Sequence, residues 1–236
     1  MTHDHSRRTL ILAAGALAVA ASAGSVALAR PMAAGPKVAR PWVARIGVAS
    51  PEAIVELGAR LGARPRRVAT RHRSPGFRAA GFGLAGVDVE FEVSDPDGPA
   101  AHGSLYAAAP GGGLVGLEAP DPDLIAARAR EAGVRVFRDL VIAGRRVITL
   151  EAGPLGTRFE IVGALTPQAQ GVPSRVAGVI IACSDPGKAA ALAGAIFEAR
   201  VQDQTAHLSE FPIRFVGSNP SAPEGVAALT LVASRG

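Results

Sequence analysis

The chain is poor in the residues that most often carry chemistry. Its 236 residues include one cysteine, one tryptophan, one tyrosine and five histidines, and aromatic residues make up 4%. The single cysteine, Cys183, excludes an intramolecular disulfide. It lies in an apolar stretch with no basic neighbour, so it reads as a small core residue rather than a nucleophile. His72, His102 and His207 each lack a second histidine at ligand spacing, and surface and ligand-contact roles stay open for them. Lysine is scarce as well. Of the 25 lysines and arginines only Lys37 and Lys188 are lysine, and the arginines are scattered, without the runs that track a phosphate backbone. Nucleic acid is therefore not an expected partner. There is no Ser-His-Asp signature, and neither the triple glycine from Gly111 nor GLAG from Gly83 fits a phosphate-binding loop.

What is present is a large supply of small and branched apolar residues. At 48% apolar composition, Ala, Val, Leu and Ile suffice to fill the core of one large domain or two small ones. The amino terminus differs from the rest. Arg7-Arg8 stand directly before an apolar run from Leu10 to Ala21, and Ala27-Leu28-Ala29 closes the segment. This resembles a twin-arginine export signal over residues 1–29 with cleavage after Ala29, which implies an exported, periplasmic or extracytoplasmic protein with no stable membrane insertion. An uncleaved segment would instead act as a membrane anchor, its length being near the lower limit for a span. Residues 30–41 contain three prolines and no apolar periodicity, as expected of a flexible leader.

From Trp42 the chain shows an order of elements twice. WVARIGVA, PEAIVELGARLGA, ARPRRVAT, GFRAAGFGL and VDVEFEV read as strand, helix and three strands over residues 42–95. LVGLE, DPDLIAARAREAGV, VRVF, RRVITL and TRFEIV repeat that order over 114–163, the helix running from Asp121 to Gly133 between ordinary cap residues. Pro51 and Pro122, and Gly62 and Gly133, are 71 residues apart, while Gly86 and Gly156, and Glu90 and Glu160, are 70 apart. An offset held from helix start to last strand marks an internal repeat. A third, more divergent copy is expected over 176–236, with VAGVIIACS as strand, DPGKAAALAGAIFEA as helix, and RVQDQ, FPIRFVG and GVAALTLVA as later strands.

Paired β-α-β-β-β modules with an Asp-Pro or Ser-Pro helix start, a glycine helix end and a last strand of the form RFEIV resemble the vicinal oxygen chelate superfamily. That superfamily includes glyoxalases, extradiol dioxygenases, epimerases and bleomycin-resistance proteins. The resemblance implies an α+β fold in which the first two modules pair into one cup-shaped mixed sheet with a third module beside them. It implies metal ligands on the first and last strands of each module, which fall on Glu90 and Glu160 and near Val43 and Leu114. Neither first-strand position is histidine. Two carboxylates alone would hold a divalent metal weakly, so no cofactor is expected.

Glu160 is the one charged residue within FEIVG, and stands either as an acid/base or anchoring carboxylate or as a cup-lining charge paired with an arginine such as Arg45. Glu90 and Glu92 share a strand face by alternation. Arg45 and Glu118 are the charged groups on the first strands, and His102 and Tyr106 lie on the connector; with Glu92 they complete the candidate ligand contacts. Two functions fit these residues. One is an exported small-molecule binding protein of the bleomycin-resistance type without a histidine-metal site. The other is a lyase, isomerase or dioxygenase-like enzyme using Glu160 and Glu90 as acid/base or as weak metal ligands. A third module without a partner also predicts a homodimer through its open sheet edge.

Overall fold

The computed structural model describes residues 7–13, 16–22, 41–47, 67–71, 77–84, 87–94, 113–142, 144–163, 176–208, 211–220 and 224–232, with the backbone alone before residue 113. The helix expected from Pro51 to Gly62, the Ala29 cleavage point, the leader from 30 to 40, His72, His102 and Tyr106 lie outside the described residues. The unit 113–163 shows how the sequence builds a module. Strand β7, Gly113–Ala119, is buried at every position, as suits a strand covered on both faces. Helix α1, Pro122–Glu131, begins where Asp121 caps it, its carboxylate accepting from the Leu124 N–H at 3.1 Å, with Pro122 at the first helical position. Pro122, Ile125, Ala126 and Ala129 form its buried stripe. It ends before Gly133, whose φ of +74° is a left-handed conformation that glycine adopts without a Cβ penalty. Strands β8, Val136–Ile142, β9, Arg145–Leu150, and β10, Arg158–Gly163, follow, with a 3₁₀ turn at Gly153–Leu155.

The fold is α+β with two mixed sheets built from repeated β-α-β-β-β-like modules. In the eight-stranded sheet, β3 (Pro41–Gly47), β4 (Arg67–Arg71), β5 (Phe77–Leu84) and β6 (Val87–Ser94) of the first unit join the second unit in the order β4-β5-β6-β3-β7-β10-β9-β8. In each half the last strand runs parallel to the first, β6 beside β3 and β10 beside β7, and the halves meet through the antiparallel pair β3–β7.

The seven-stranded sheet repeats the arrangement with a different register from the one the sequence suggested. Strand β11, Val176–Cys183, leads into helix α2, Pro186–Phe197, which Asp185 caps by accepting from the Lys188 N–H at 3.0 Å. RVQDQ, expected as one strand, turns back on itself. Asp203 and Gln204, at φ 47° and 59°, form the tight turn between β12 (Arg200–Gln202) and β13 (Thr205–Leu208). The parallel last strand is then β14, Phe211–Gly217, whose buried and accessible positions alternate. GVAALTLV, expected as a later strand of the same module, is β15, Gly225–Val232, and crosses to the other side of β11, antiparallel to it. It lies inside the sheet, with a neighbouring strand on each side.

Those neighbours are β11 and the amino-terminal segment. Residues read as an export signal form β1, Arg7–Ala13, and β2, Ala16–Ser22, a hairpin that pairs antiparallel with β15 from Arg7 opposite Val232 to Ile11 opposite Ala228. No helix among the described residues is long and apolar enough to cross a membrane.

The helix-covered faces of both sheets meet in one core. Val115, Leu117, Phe159 and Ile161 of the first sheet join Val179, Ile181, Ile213 and Phe215 of the second, with Ala189, Ala193 and Phe197 of α2 among them. The Phe159 and Phe197 rings lie 5.4 Å apart and tilted, a favourable aromatic pairing. Arg128 of α1 pairs with Glu198 at the end of α2. Gly156 fits where nothing larger would: a Cβ there would stand 2.5 Å from Cys183 Cβ and 2.9 Å from the Ala182 carbonyl.

Candidate functional site

With the apolar faces turned into the core, the opposite face of the eight-stranded sheet carries its polar residues. On β7 these positions are Leu114, Gly116 and Glu118, and on β10 Arg158, Glu160 and Val162. Glu160 stands opposite Gly116 on one side and Thr149 on the other. Glu118, Glu160 and Thr149 are all buried, at 8%, 8% and 5% relative exposure. Glu118 is a diagonal neighbour of Glu160, which sets the two about 7 Å apart at the backbone. Two carboxylates in such a site would each cost several kcal/mol if left bare. Both are engaged by neighbouring groups. Gly116 adds no side chain beside Glu160.

Continuing across the sheet, the Glu160 row runs through Gly116 to Val43 and Asp88, and the next row runs from Arg158 through Leu114 and Arg45 to Glu90. Arg45 thus stands opposite Glu90, not in the row of Glu160, and Glu92 stands opposite Gly47. Glu90 and Glu160 occupy adjacent rows on strands separated by β3 and β7. Register adds two residues that the sequence reading passed over, Asp88 and Arg158. Each is two positions before a candidate glutamate, and strand alternation applied to Glu90 and Glu160 would have found both.

At the far edge of the sheet a bulge in β8 between Val136 and Arg138 displaces Phe137. The guanidinium groups of Arg158 and Arg135 stand 5.4 and 5.6 Å from the Phe137 ring centre. Arg135 donates to both oxygens of Glu151, at 2.6 and 2.9 Å. This hydrogen bonding, reinforced by the Arg135 charge, holds the Glu151 carboxyl below its ordinary value and raises Arg135. Arg135, Arg158 and Phe137 thus cluster beside the row of Glu160.

The metal ligands implied by the fold type do not fit these residues. In the Glu160 row the first-strand positions are Gly116 and Val43, which offer no donor, and the adjacent row offers Leu114 and Arg45. Among the described residues no group of three or more His, Cys, Asp or Glu could hold a metal ion. His207 lies on the second sheet, away from this face, and is exposed. Cys183 is buried at the contact with Gly156, and burial pushes its thiol up, as expected of an unreactive core residue.

No protein-family model matches the chain, and no curated protein matches it in sequence. Among solved structures, a mutant of 4-hydroxymandelate synthase from Streptomyces coelicolor is similar at a TM-score of 0.56 and 19% identity, over 82% of this chain and 70% of that one. Methylmalonyl-CoA epimerase from Mycobacterium tuberculosis matches at a TM-score of 0.42 and 18% identity, over 59% of this chain and 97% of the epimerase. The first likeness shows a shared fold over most of this chain.

Proposed function

We propose that the protein binds a small molecule on the polar face of the eight-stranded sheet, without a histidine-metal centre. The supporting observation is the buried pair Glu118 and Glu160, placed beside Thr149 and the bare backbone of Gly116. Carboxylates there accept hydrogen bonds, so the ligand presents hydroxyl or amine donors inward, and an aromatic or anionic portion outward to Phe137 and Arg158. A thermal-shift screen of aromatic metabolites that carry hydroxyl or amine groups, with dicarbonyl metabolites for comparison, tests this on wild type and Glu160→Gln. A ligand at a hundred times its dissociation constant adds about 2.7 kcal/mol of stability. Hits that vanish in the variant support the reading, and hits of equal size in both put the ligand elsewhere.

The enzyme alternative, a lyase, isomerase or dioxygenase-like activity, has Glu160 and Glu90 share a proton or a weakly held divalent cation. Their adjacent rows leave two strands between them, which favours separate roles. A stoichiometric transition metal in carefully purified protein would reverse that preference.

The same reading makes the protein exported. Arg7-Arg8 and Ala29 supply the export signal, and the hairpin β1–β2 is one fate of that segment while processing is the other. Cleavage after Ala29 removes the hairpin and leaves β15 as a sheet edge, which a second copy covers in a homodimer. Amino-terminal sequencing of the exported fraction should start at Arg30. Light scattering of the processed chain should give a dimer at micromolar concentration, and a monomer would rule out pairing through β15.

A further inference from the structure

The third module reproduces the candidate site with its charge reversed. Asp121 caps α1 and Asp185 caps α2, so β7 and β11 can be aligned on the cap: Gly116 corresponds to Ile180, and Glu118 to Ala182. On the parallel last strands, Glu160 faces Gly116 and Arg214 faces Ile180. On the next strands, Thr149 stands opposite Glu160 and Thr205 opposite Arg214. A guanidinium thus takes the place of the buried carboxylate, a threonine stays beside it, and the second carboxylate becomes alanine.

Further basic groups surround that position. His207 is two residues along from Thr205, diagonal to Arg214, and Arg200 stands opposite His207. Diagonal and direct neighbours on adjacent strands lie about 5–8 Å apart, so one patch holds all three. Arg200, His207 and Arg214 are exposed. Arg200 donates to Gln202 at 2.8 Å, and neither arginine has an ion pair with a described residue. The opposite side of these strands packs on α2 through Ala206, Leu208, Ile213 and Phe215. Half-buried Ile180 and Val216 lie beside the patch. Among the described residues, the face therefore combines basic donors that lack an ion-pair partner with an apolar shoulder.

We propose that this face is a second ligand site, which takes a small organic oxyanion, a phosphate or carboxylate, through Arg214, Arg200 and Thr205. Guanidinium groups bind such anions through paired, charge-assisted hydrogen bonds, and the Thr205 hydroxyl, which donates to the Asp203 carbonyl at 3.4 Å, adds a third donor when it turns to the anion. A macromolecular polyanion is the competing occupant, disfavoured by the lack of basic runs elsewhere in the chain.

Titration calorimetry of the full chain at low ionic strength, with pyrophosphate and with citrate as probes, tests the proposal. Saturable one-site binding is expected for at least one probe, weakened about tenfold or more by Arg214→Gln and by Arg200→Gln. Both arginines are exposed, so the variants should keep the wild-type melting temperature. Arg135→Gln, an exposed arginine just before β8 of the other sheet, should leave binding unchanged. The proposal fails if neither probe binds saturably, if Arg135→Gln weakens binding as much as Arg214→Gln, or if the chain holds heparin through Arg200 and Arg214 while ignoring both probes.

Discussion

The second and third modules are built on one frame and finished with opposite chemistry. Each opens on an apolar strand, starts its helix at an Asp-Pro pair whose aspartate caps the third N–H along, and returns through an antiparallel pair to a last strand parallel to the first. At matching register one carries Glu160 and the other Arg214. The frame depends on the inward-facing positions, Phe159, Ile161 and Ile148 in one and Ile213, Phe215 and Ala206 in the other, all buried. The outward positions stand on the other face of each sheet, where Glu160 is buried and Arg214 is exposed. In this protein, fold and site chemistry are written on alternate residues of the same strands.

The shared core is where that comparison is most easily broken. Phe197→Ala removes the α2 ring that packs on Phe159 of the other module and should cost about 3–5 kcal/mol. Urea unfolding should keep a single transition at a lower midpoint, because both modules contribute to one core. Two resolved transitions would mean that the modules fold separately and resemble each other only in layout. Gly156→Ala should cost about 3 kcal/mol, through overlap with Cys183 and the Ala182 carbonyl as well as its φ of +73°. Gly133→Ala shares the positive φ but meets nothing within 4 Å, so it should cost about 1 kcal/mol. Equal losses for the two variants in urea melts would show that the contact at Gly156 is not tight.

The equivalence of the two caps can be sharpened by a matched pair, Asp121→Ala and Asp185→Ala, each expected to lower stability by about 1 kcal/mol in the same assay. A loss at only one would end the parallel between the helix starts. The smallest effect is a pH dependence confined to the third module. Burial first, and then the charge of Arg200, hold the His207 imidazole below its ordinary value, and Arg214 is the other charged group diagonal to it. The unfolded chain therefore binds the proton more readily, so this contribution is complete above the unfolded value of about 6.5 and is lost as pH falls through the folded value. Thermal melts between pH 7.5 and pH 5 should decline slightly less steeply for His207→Gln than for wild type. Identical slopes would show that His207 is solvated as in the unfolded chain.

Local signals carried much of this molecule in readable form. Asp121, Pro122 and Gly133 bound a helix by capping chemistry that acts over three or four residues, and the alternation in RFEIV announces a strand with one apolar face. Glu160 was legible as a candidate because a lone carboxylate among buried neighbours needs a reason. Its surroundings were not. Gly116, Thr149 and Arg158 reach it only through pairing with β7, with β9 and along β10, and pairing register depends on contacts between residues far apart in the chain. The fate of GVAALTLV shows the same limit. Its composition predicts a buried strand, but which side of β11 it occupies was decided by Asp203 and Gln204, whose tight turn made RVQ and TAHL a hairpin and gave the last-strand place to FPIRFVG. Propensity, capping and alternation are short-range and can be read from neighbours in sequence; strand order, register and the sign of the charge facing each pocket position are set by which distant segments exclude water together.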